Sequence, residues 1–378
     1  MGVLCVMPTW NAPSELWLQR MLAGIEEHLV AVAAYHPTER FWRGHVPVIP
    51  LDAPWSLGWR AARKLGLRSV PNLRLRRALR SRRLHAVLVN YVTVAAQLEG
   101  ALRSARCPVF VHCHGYDVTF DLRSHEDPKS RCYGPDYVET VQRIAQRATL
   151  IANSRTVAGR LAAIGIPPDR IVTKYLGVPV PDAAPPPRPA RRDVTVLYLG
   201  RLVDCKAPDL TIRAFEQACA LGMDGRLVVA GDGPLRMTCE LIARHSRYSD
   251  RIQLLGAVDG ETGAQLFREA DIFTAHNCLG PLTHQEEALG VSVLEAMAAG
   301  LPVVSGLSGG LAETVDDGVT GILVAPGDVE AHARALLALA RDPALRNAMG
   351  MAGWRRVKEQ FSAEKDSAEL LRIMGIAG

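Results

Sequence analysis

The sequence predicts an α/β protein of two parallel-sheet domains with a cleft between them. Three observations carry this. Short apolar runs alternate with helix-length amphipathic segments along most of the 378 residues. One proline-rich stretch, Pro179-Val-Pro-Asp-Ala-Ala-Pro-Pro-Pro-Arg-Pro189, interrupts the alternation near its middle. The same alternation then restarts. Strands that alternate with helices pair in parallel and are covered on both faces. A proline-rich stretch between two such series reads as an extended, semi-rigid linker.

In chain order, Val3–Met7 is predicted as a strand and Glu15–His28 as a helix. Strands follow at Ala86–Asn90, Val109–His112 and Leu150–Asn153, with helices at Val92–Arg103 and Asp136–Arg147 between them. Beyond the linker come strands at Val194–Leu199, Arg226–Ala230, Ile252–Leu255 and Ile272–Ala275. Helices are predicted at Asp209–Ala220 and Leu235–His245, and the tail from Trp354 to Met374 reads as helical. The expected organisation is two Rossmann-like domains, 1–178 and 194–355, a linker over 179–193, and a terminal helical segment over 356–378.

Composition narrows the class. The chain is 48% hydrophobic and 22% charged, as ordinary globular domains are. It holds no apolar run long enough for a transmembrane helix. Its start, Met1-Gly-Val-Leu-Cys-Val-Met7, reads as a strand and not as a basic leader. Eight cysteines without a CxxC pair argue for reduced thiols and a cytoplasmic setting. His112-Cys113-His114 invites a metal reading, but successive strand residues face opposite ways, so no metal site is expected.

The net charge of +5 hides an asymmetry, because residues 1–180 hold 24 Lys/Arg against 13 Asp/Glu. Ten of these cations lie between Arg60 and Arg83 with no acid among them, just after Trp55 and Trp59. The segment reads either as a solvated helix face or as a peripheral contact with an anionic membrane. No aromatic-rich RNA motif accompanies it, so nucleic acid is not an expected partner.

The most informative stretch is Glu287-Ala-Leu-Gly-Val-Ser-Val-Leu-Glu295. Val293, Leu294, Met297 and Ala298 recur at helical spacing, and Gly290 precedes them. A glycine loop at a helix N-terminus presents N–H groups and a positive dipole end, so Leu289, Gly290 and Val291 form a candidate phosphate site. Glu287 and Glu295, one on each side, can accept hydrogen bonds from sugar and ribose hydroxyls. The competing reading is an amphipathic helix with solvated glutamates. Downstream, Leu301-Pro-Val-Val-Ser305 reads as a buried strand, Ser308-Gly-Gly310 as a loop, and Leu311-Ala-Glu313 as the start of the next segment.

Gly200-Arg-Leu-Val-Asp-Cys-Lys206 follows a predicted strand and precedes a helix, where open α/β sheets bind ligands. Arg201 and Lys206 would bring two cations to a diphosphate as its charge develops. The alternative is a pair of surface cations. Gly231-Asp-Gly-Pro234 turns at the same predicted sheet edge but is not a GxGxxG fingerprint. His114-Gly-Tyr-Asp117 follows a strand, and its histidine either meets a sugar hydroxyl or caps a turn.

This order of motifs resembles glycosyltransferase family 4, the retaining nucleotide-sugar-dependent transferases of GT-B fold. That family carries two glutamates separated by seven residues, then a helix, a Pro-Val-Val strand and a Gly-Gly loop. Its Glu-Gly-Phe-Gly opening stands here as Glu287-Ala-Leu-Gly290. The resemblance implies a donor diphosphate held by Arg201, Lys206, Leu289, Gly290 and Val291. It places the donor nucleotide by Gly231, Gly233, Gly256, Ala257 and Glu295, and the reacting sugar by His114, Asp117 and Glu287. Trp10, Asn11 and Glu15 would border the acceptor, in a loop that lacks the Gly-Gly of many relatives and opens its helix with Ser14. The last helix of that family returns to the first domain.

The expected activity is therefore transfer of a hexose-type sugar, with a UDP-sugar as the expected donor and no cofactor or metal. The acceptor would be a sugar, aminocyclitol, natural-product core or lipid-linked intermediate. Two readings compete: a nucleotide-sugar epimerase or hydrolase of the same fold, and a non-catalytic membrane-surface module.

Overall fold

The computed structural model describes residues 1–10, 16–51, 73–123, 136–191 and 193–376. The chain packs as two units. One comprises Met1–Asn153, Val157–Lys174 and Ser367–Gly378, and the other Ser154–Thr156 and Tyr175–Asp366.

The first unit is built on an eight-stranded sheet: β1 (Gly2–Thr9), β2 (Leu29–Tyr35), β3 (Phe41–Trp42), β4 (Val46–Pro50), β5 (Leu84–Asn90), β6 (Val109–Cys113), β7 (Ala148–Ala152) and β8 (Ile171–Thr173). Their spatial order is β3-β4-β2-β1-β5-β6-β7-β8. All pairings are parallel except β3 with β4. Helices cover both faces of a parallel sheet, so its strands are apolar throughout. Val3, Leu4, Cys5 and Val6 are accordingly all fully buried. Periodicity does not reveal β2, whose Leu-Val-Ala-Val-Ala-Ala-Tyr run is apolar on both faces and reads equally well as helix.

The second unit carries six parallel strands: β9 (Val194–Leu199), β10 (Gly225–Ala230), β11 (Ile252–Gly256), β12 (Ile272–Ala275), β13 (Val303–Gly306) and β14 (Gly321–Val324). Their order is β11-β10-β9-β12-β13-β14. This is the doubly wound arrangement in which successive connections run one way from β9 and then the other way from β12.

The stretch read as a linker lies against the second unit. Arg188 exchanges backbone hydrogen bonds with the Asn347 side chain, at 2.8 and 3.2 Å. Trp354 Nε1 and Lys358 Nζ donate to the carbonyls of Pro181 and Asp182. The helical tail consists of two helices, Pro343–Gln360 and Ala363–Ile373, with Ser367 onward grouped with the first unit.

Candidate functional site

In the second sheet the winding direction reverses between β9 and β12, and the crevice outside the carboxyl ends of such neighbours is where doubly wound sheets bind ligands. Two loops leave the sheet there. One, after β9, runs from Gly200 to Ala207. The other, after β12, runs from His276 to Gly290. Asp204 ties them together. Its buried carboxylate accepts hydrogen bonds from the N–H groups of Leu282 and Thr283 and from Thr283 Oγ1, at 2.7–2.9 Å. Cys278 N–H also donates to Cys205 O at 2.9 Å.

This tie brings together two residues 81 positions apart, Lys206 and Glu287, as a hydrogen-bonded ion pair. Glu287 Oε1 also accepts the Gly290 N–H at 3.1 Å. Burial pushes the Glu287 carboxyl up. Lys206, Arg201 and the Gly290 N–H together outweigh burial and hold it below the ordinary glutamate range. The group is thus a carboxylate at neutral pH, with its acceptor oxygens oriented by a cation and a backbone donor.

Gly290 adopts φ +86° and is the N-cap of the helix Val291–Ala298. The first-turn N–H groups of that helix have no intrahelical acceptor, which leaves a donor-rich positive end beside Glu287. Leu289 is buried, and its carbonyl is held by Thr314 Oγ1 at 2.6 Å. Gly309 and Gly310 seat against the carbonyls of Glu287 and Ala288, where a Cβ would meet oxygen at 1.9 and 2.0 Å. Glu295 lies half-buried farther along the helix.

The glycine turns at the neighbouring strand ends interlock with the β9 loop. Gly231 (φ +147°) packs on the Gly200 carbonyl and Gly233 (φ +155°) on that of Leu202, leaving no room for a side chain at either. The Gly231 N–H donates to Gly256 O at 2.8 Å, linking the ends of β10 and β11. Ala257 is exposed just beyond. Arg201 is exposed, with its carbonyl held by Tyr198 Oη. The candidate diphosphate and nucleotide residues thus stand at the ends of three adjacent strands and of β12.

In the first unit, His114 follows β6 and lies half-buried among aromatic rings. Trp17, His112 and Tyr91 have centroids 4.1, 4.2 and 4.7 Å from its ring. Asn90 Nδ2 donates to Val6 O, so Asn90 Oδ1 faces His114 Nε2 as an acceptor at 3.2 Å. His114 therefore carries its proton on Nε2 and a lone pair on Nδ1, which has no partner among the described residues. Burial, and then Lys174, hold its pKa well below the ordinary histidine range, so the ring is neutral at physiological pH.

Asp117, read from sequence as a group at the reacting sugar, is fully buried. Its carboxylate accepts the N–H groups of Val92, His114 and Gly115 at 2.8–3.0 Å. Those contacts make it the residue that shapes the His114 turn and caps the helix Val92–Leu102. Trp10 is also buried, at the end of β1. Asn11, Ser14, Glu15 and the segment from Arg60 to residue 72 lie outside the described residues. Of the basic segment, the helix Leu73–Leu79 bears Arg74, Arg76 and Arg77.

Sequence reasoning gave no role to Asp204, Asn90, Tyr91 or Trp17. Asp204 had a signal, a lone carboxylate between two cations of a glycine loop. Tyr91 had none, because its φ of +72° at the N-cap of the helix Val92–Leu102 leaves no mark on sequence pattern.

Among known proteins, residues 15–177 match the glycosyl transferase 4-like domain. Residues 184–356 match the glycosyl transferases group 1 family. A GDP-mannose-dependent monoacylated α-(1-6)-phosphatidylinositol monomannoside mannosyltransferase of Corynebacterium glutamicum is 35% identical over 46% of this chain and 45% of its own. A D-inositol 3-phosphate glycosyltransferase of Actinosynnema mirum is 34% identical over 63% of this chain and 60% of its own. The matched part thus spans roughly half the length of these relatives. Among solved structures, Anabaena HepE in complex with UDP and glucose superposes with TM-score 0.78 at 17% identity over 99% of both chains. The sucrose-phosphate synthase of Thermosynechococcus elongatus superposes with TM-score 0.75 at 18% identity, over 99% of this chain and 98% of its own. Both similarities establish the fold alone. With the two family matches spanning nearly all of the chain, it belongs to the family 4 glycosyltransferases of GT-B fold.

Proposed function

We propose that the protein transfers a hexose with retention from a nucleoside diphosphate sugar to an acceptor hydroxyl. The observation that carries this is the Lys206–Glu287 pair at the β9/β12 crevice, beside Arg201 and the Gly290 helix end. A donor diphosphate entering there meets Arg201, Lys206 and the N–H groups after Gly290. These charges stabilise the leaving group without a metal ion. Glu287, held ionised, accepts the donor sugar's hydroxyls, and the departing diphosphate takes the acceptor proton on the same face. Glu295 takes the ribose, and the Gly231 and Gly256 turns border the base. His114, neutral with its lone pair on Nδ1, receives a hydroxyl in the first unit.

The curated relatives are named for GDP-mannose and for inositol 3-phosphate, while HepE is named with UDP and glucose. Both bases therefore enter the test, with GDP-mannose placed beside the UDP-sugar that the sequence favoured. Thermal shift with GDP- and UDP-sugars reads donor binding directly, because a ligand that binds only the folded state raises its stability. Product formation with a cyclitol phosphate or a lipid-linked mannoside reads the acceptor. No stabilisation by any nucleoside diphosphate sugar overturns the proposal. Donor turnover equally fast without acceptor replaces it with a hydrolase or epimerase. Sedimentation with anionic vesicles at low salt tests peripheral membrane contact; among the described residues no helix is long and apolar enough to cross a membrane.

A further inference from the structure

A second cluster of cations lies at the opposite ends of the second unit's strands. A recess of about 290 Å³ opens there, lined by Arg188, Arg191, Arg226, Arg268, Glu269 and Asp271. Arg191 and Asp271 flank the starts of β9 and β12, and Arg226 is the second residue of β10. A six-residue strand is about 20 Å long, so the recess stands a full sheet width from the Gly200 loop. A ligand in one site does not touch the other.

The charges in this recess are not matched. Asp271, fully buried, spends Oδ2 on Arg191 Nε, Arg191 Nη2 and the Thr195 N–H, at 2.8–3.1 Å. Its Oδ1 has no partner among the described residues. The Arg188 guanidinium donates only to backbone, to the carbonyls of Arg268, Phe267 and Ala299. Burial, reinforced by the like charge of Arg191, outweighs Asp271 and lowers the Arg188 pKa. The guanidiniums of Arg226 and Arg268 are exposed and make no hydrogen bond or ion pair with any described residue. Glu269 is drawn to Gln265 Nε2 at 2.7 Å. Three of the four arginines thus border one concavity without a carboxylate partner. Planar guanidiniums in that position favour phosphate oxygens, which they bind in bidentate fashion.

We infer that this recess is a second anion site, for the phosphomonoester or diphosphate group of a ligand distinct from the sugar donor. The phosphate settles among Arg188, Arg226 and Arg268, on the side away from the Asp271 carboxylate. Its source is either a soluble phosphorylated metabolite or a phospholipid headgroup, which present the same chemistry.

The test must silence the proposed donor loop first, since pyrophosphate would bind there too. In the Arg201→Ala/Lys206→Met/Glu287→Gln protein, where cation and carboxylate are removed together, calorimetry with inorganic phosphate and pyrophosphate should still show one site. Adding Arg226→Gln and Arg268→Gln should weaken that binding roughly tenfold or more. Both side chains are exposed and unpartnered, so the fold is expected to survive, and an unchanged Tm confirms it. Co-sedimentation with phosphatidate-containing but not pure phosphatidylcholine vesicles, lost with Arg226→Gln/Arg268→Gln, assigns a headgroup. Binding of free phosphate alone assigns a soluble ligand. Absence of both phosphate and vesicle binding in the donor-loop variant, or binding that ignores Arg226 and Arg268, overturns the inference.

Discussion

Glu287 and Lys206 form one contact that ties two loops of the fold and that the proposed chemistry would use. Their side chains are only 10% and 18% exposed. Removing one partner of such a pair leaves an uncompensated charge, at a cost of about 3–5 kcal/mol. Lys206→Ala should therefore lower the Tm sharply in differential scanning calorimetry. The double variant Lys206→Met/Glu287→Gln should recover most of that loss while transfer stays abolished. If stability recovers and activity recovers with it, the pair is structural only. Glu287→Gln alone removes charge-assisted contacts worth about 1.5–3 kcal/mol each, so turnover should fall roughly tenfold or more. Free-nucleotide binding, read by calorimetry, should persist. Asp117→Ala makes a different prediction. It strips the acceptor from three buried N–H groups, which should destabilise the first unit by about 3 kcal/mol in urea unfolding. A variant of normal stability and no activity would instead support the role at the reacting sugar.

At the scale of elements, the decisive feature is contact between loops. The turns after β9 and β10 meet where Gly231 lies against the Gly200 carbonyl. Alanine at Gly231 must find space 1.9 Å from that oxygen and hold φ near +147°. It should cost about 2 kcal/mol or more and displace the Arg201 loop with it. Nucleotide affinity measured by calorimetry should fall with stability, whereas Gly318→Ala, strained by a φ of +76° but with nothing within 4 Å of its Cβ, should lose some stability and leave affinity unchanged. Equal affinity in the Gly231→Ala protein would separate that turn from the donor site.

Over the whole molecule, buried histidines set a pH response. Gly327 N–H donates to His276 Nε2 at 2.8 Å, so His276 Nδ1–H faces His332 Nδ1 at 2.9 Å. His332 Nε2–H then points at Thr274 Oγ1, at 2.7 Å. Only neutral rings satisfy this chain. Burial lowers the pKa of His276 and takes His332 down to about 3. In the first unit burial also lowers those of His112 and His114. Folded pKa values below the unfolded one mean that the unfolded chain binds more protons, so stability is complete above about pH 6.5 and falls below it. Asp117, raised by burial to about 6, acts in the opposite sense, but it is one group against four. The Tm should therefore drop between about pH 7 and pH 5, before ordinary carboxylates titrate. A flat Tm across that window would contradict the histidine assignments.

Fold class, the two series of alternating elements and the candidate donor motifs were legible in the sequence, because each depends on short-range pattern. A glycine at a strand end, a helix with its N-cap and a cation in a turn all announce themselves within about ten residues. Strand β2 was not legible, since a run buried on both faces has no period to read. The burial of Asp117 and its hold on the His114 turn were not legible, because a carboxylate that faces solvent and one that accepts three backbone N–H groups look alike in sequence. The sequence by itself determined that Gly200, Gly231 and Gly290, the cations Arg201 and Lys206 and the carboxylate Glu287 stand in turns at predicted strand ends and a helix start. Only the tertiary structure decided that Asp204 draws two loops together, that Lys206 meets Glu287 across 81 positions, and that Arg226 and Arg268 share a recess. These are contacts between segments far apart in the chain. Sheet order and loop packing create them, and local propensity carries no record of either.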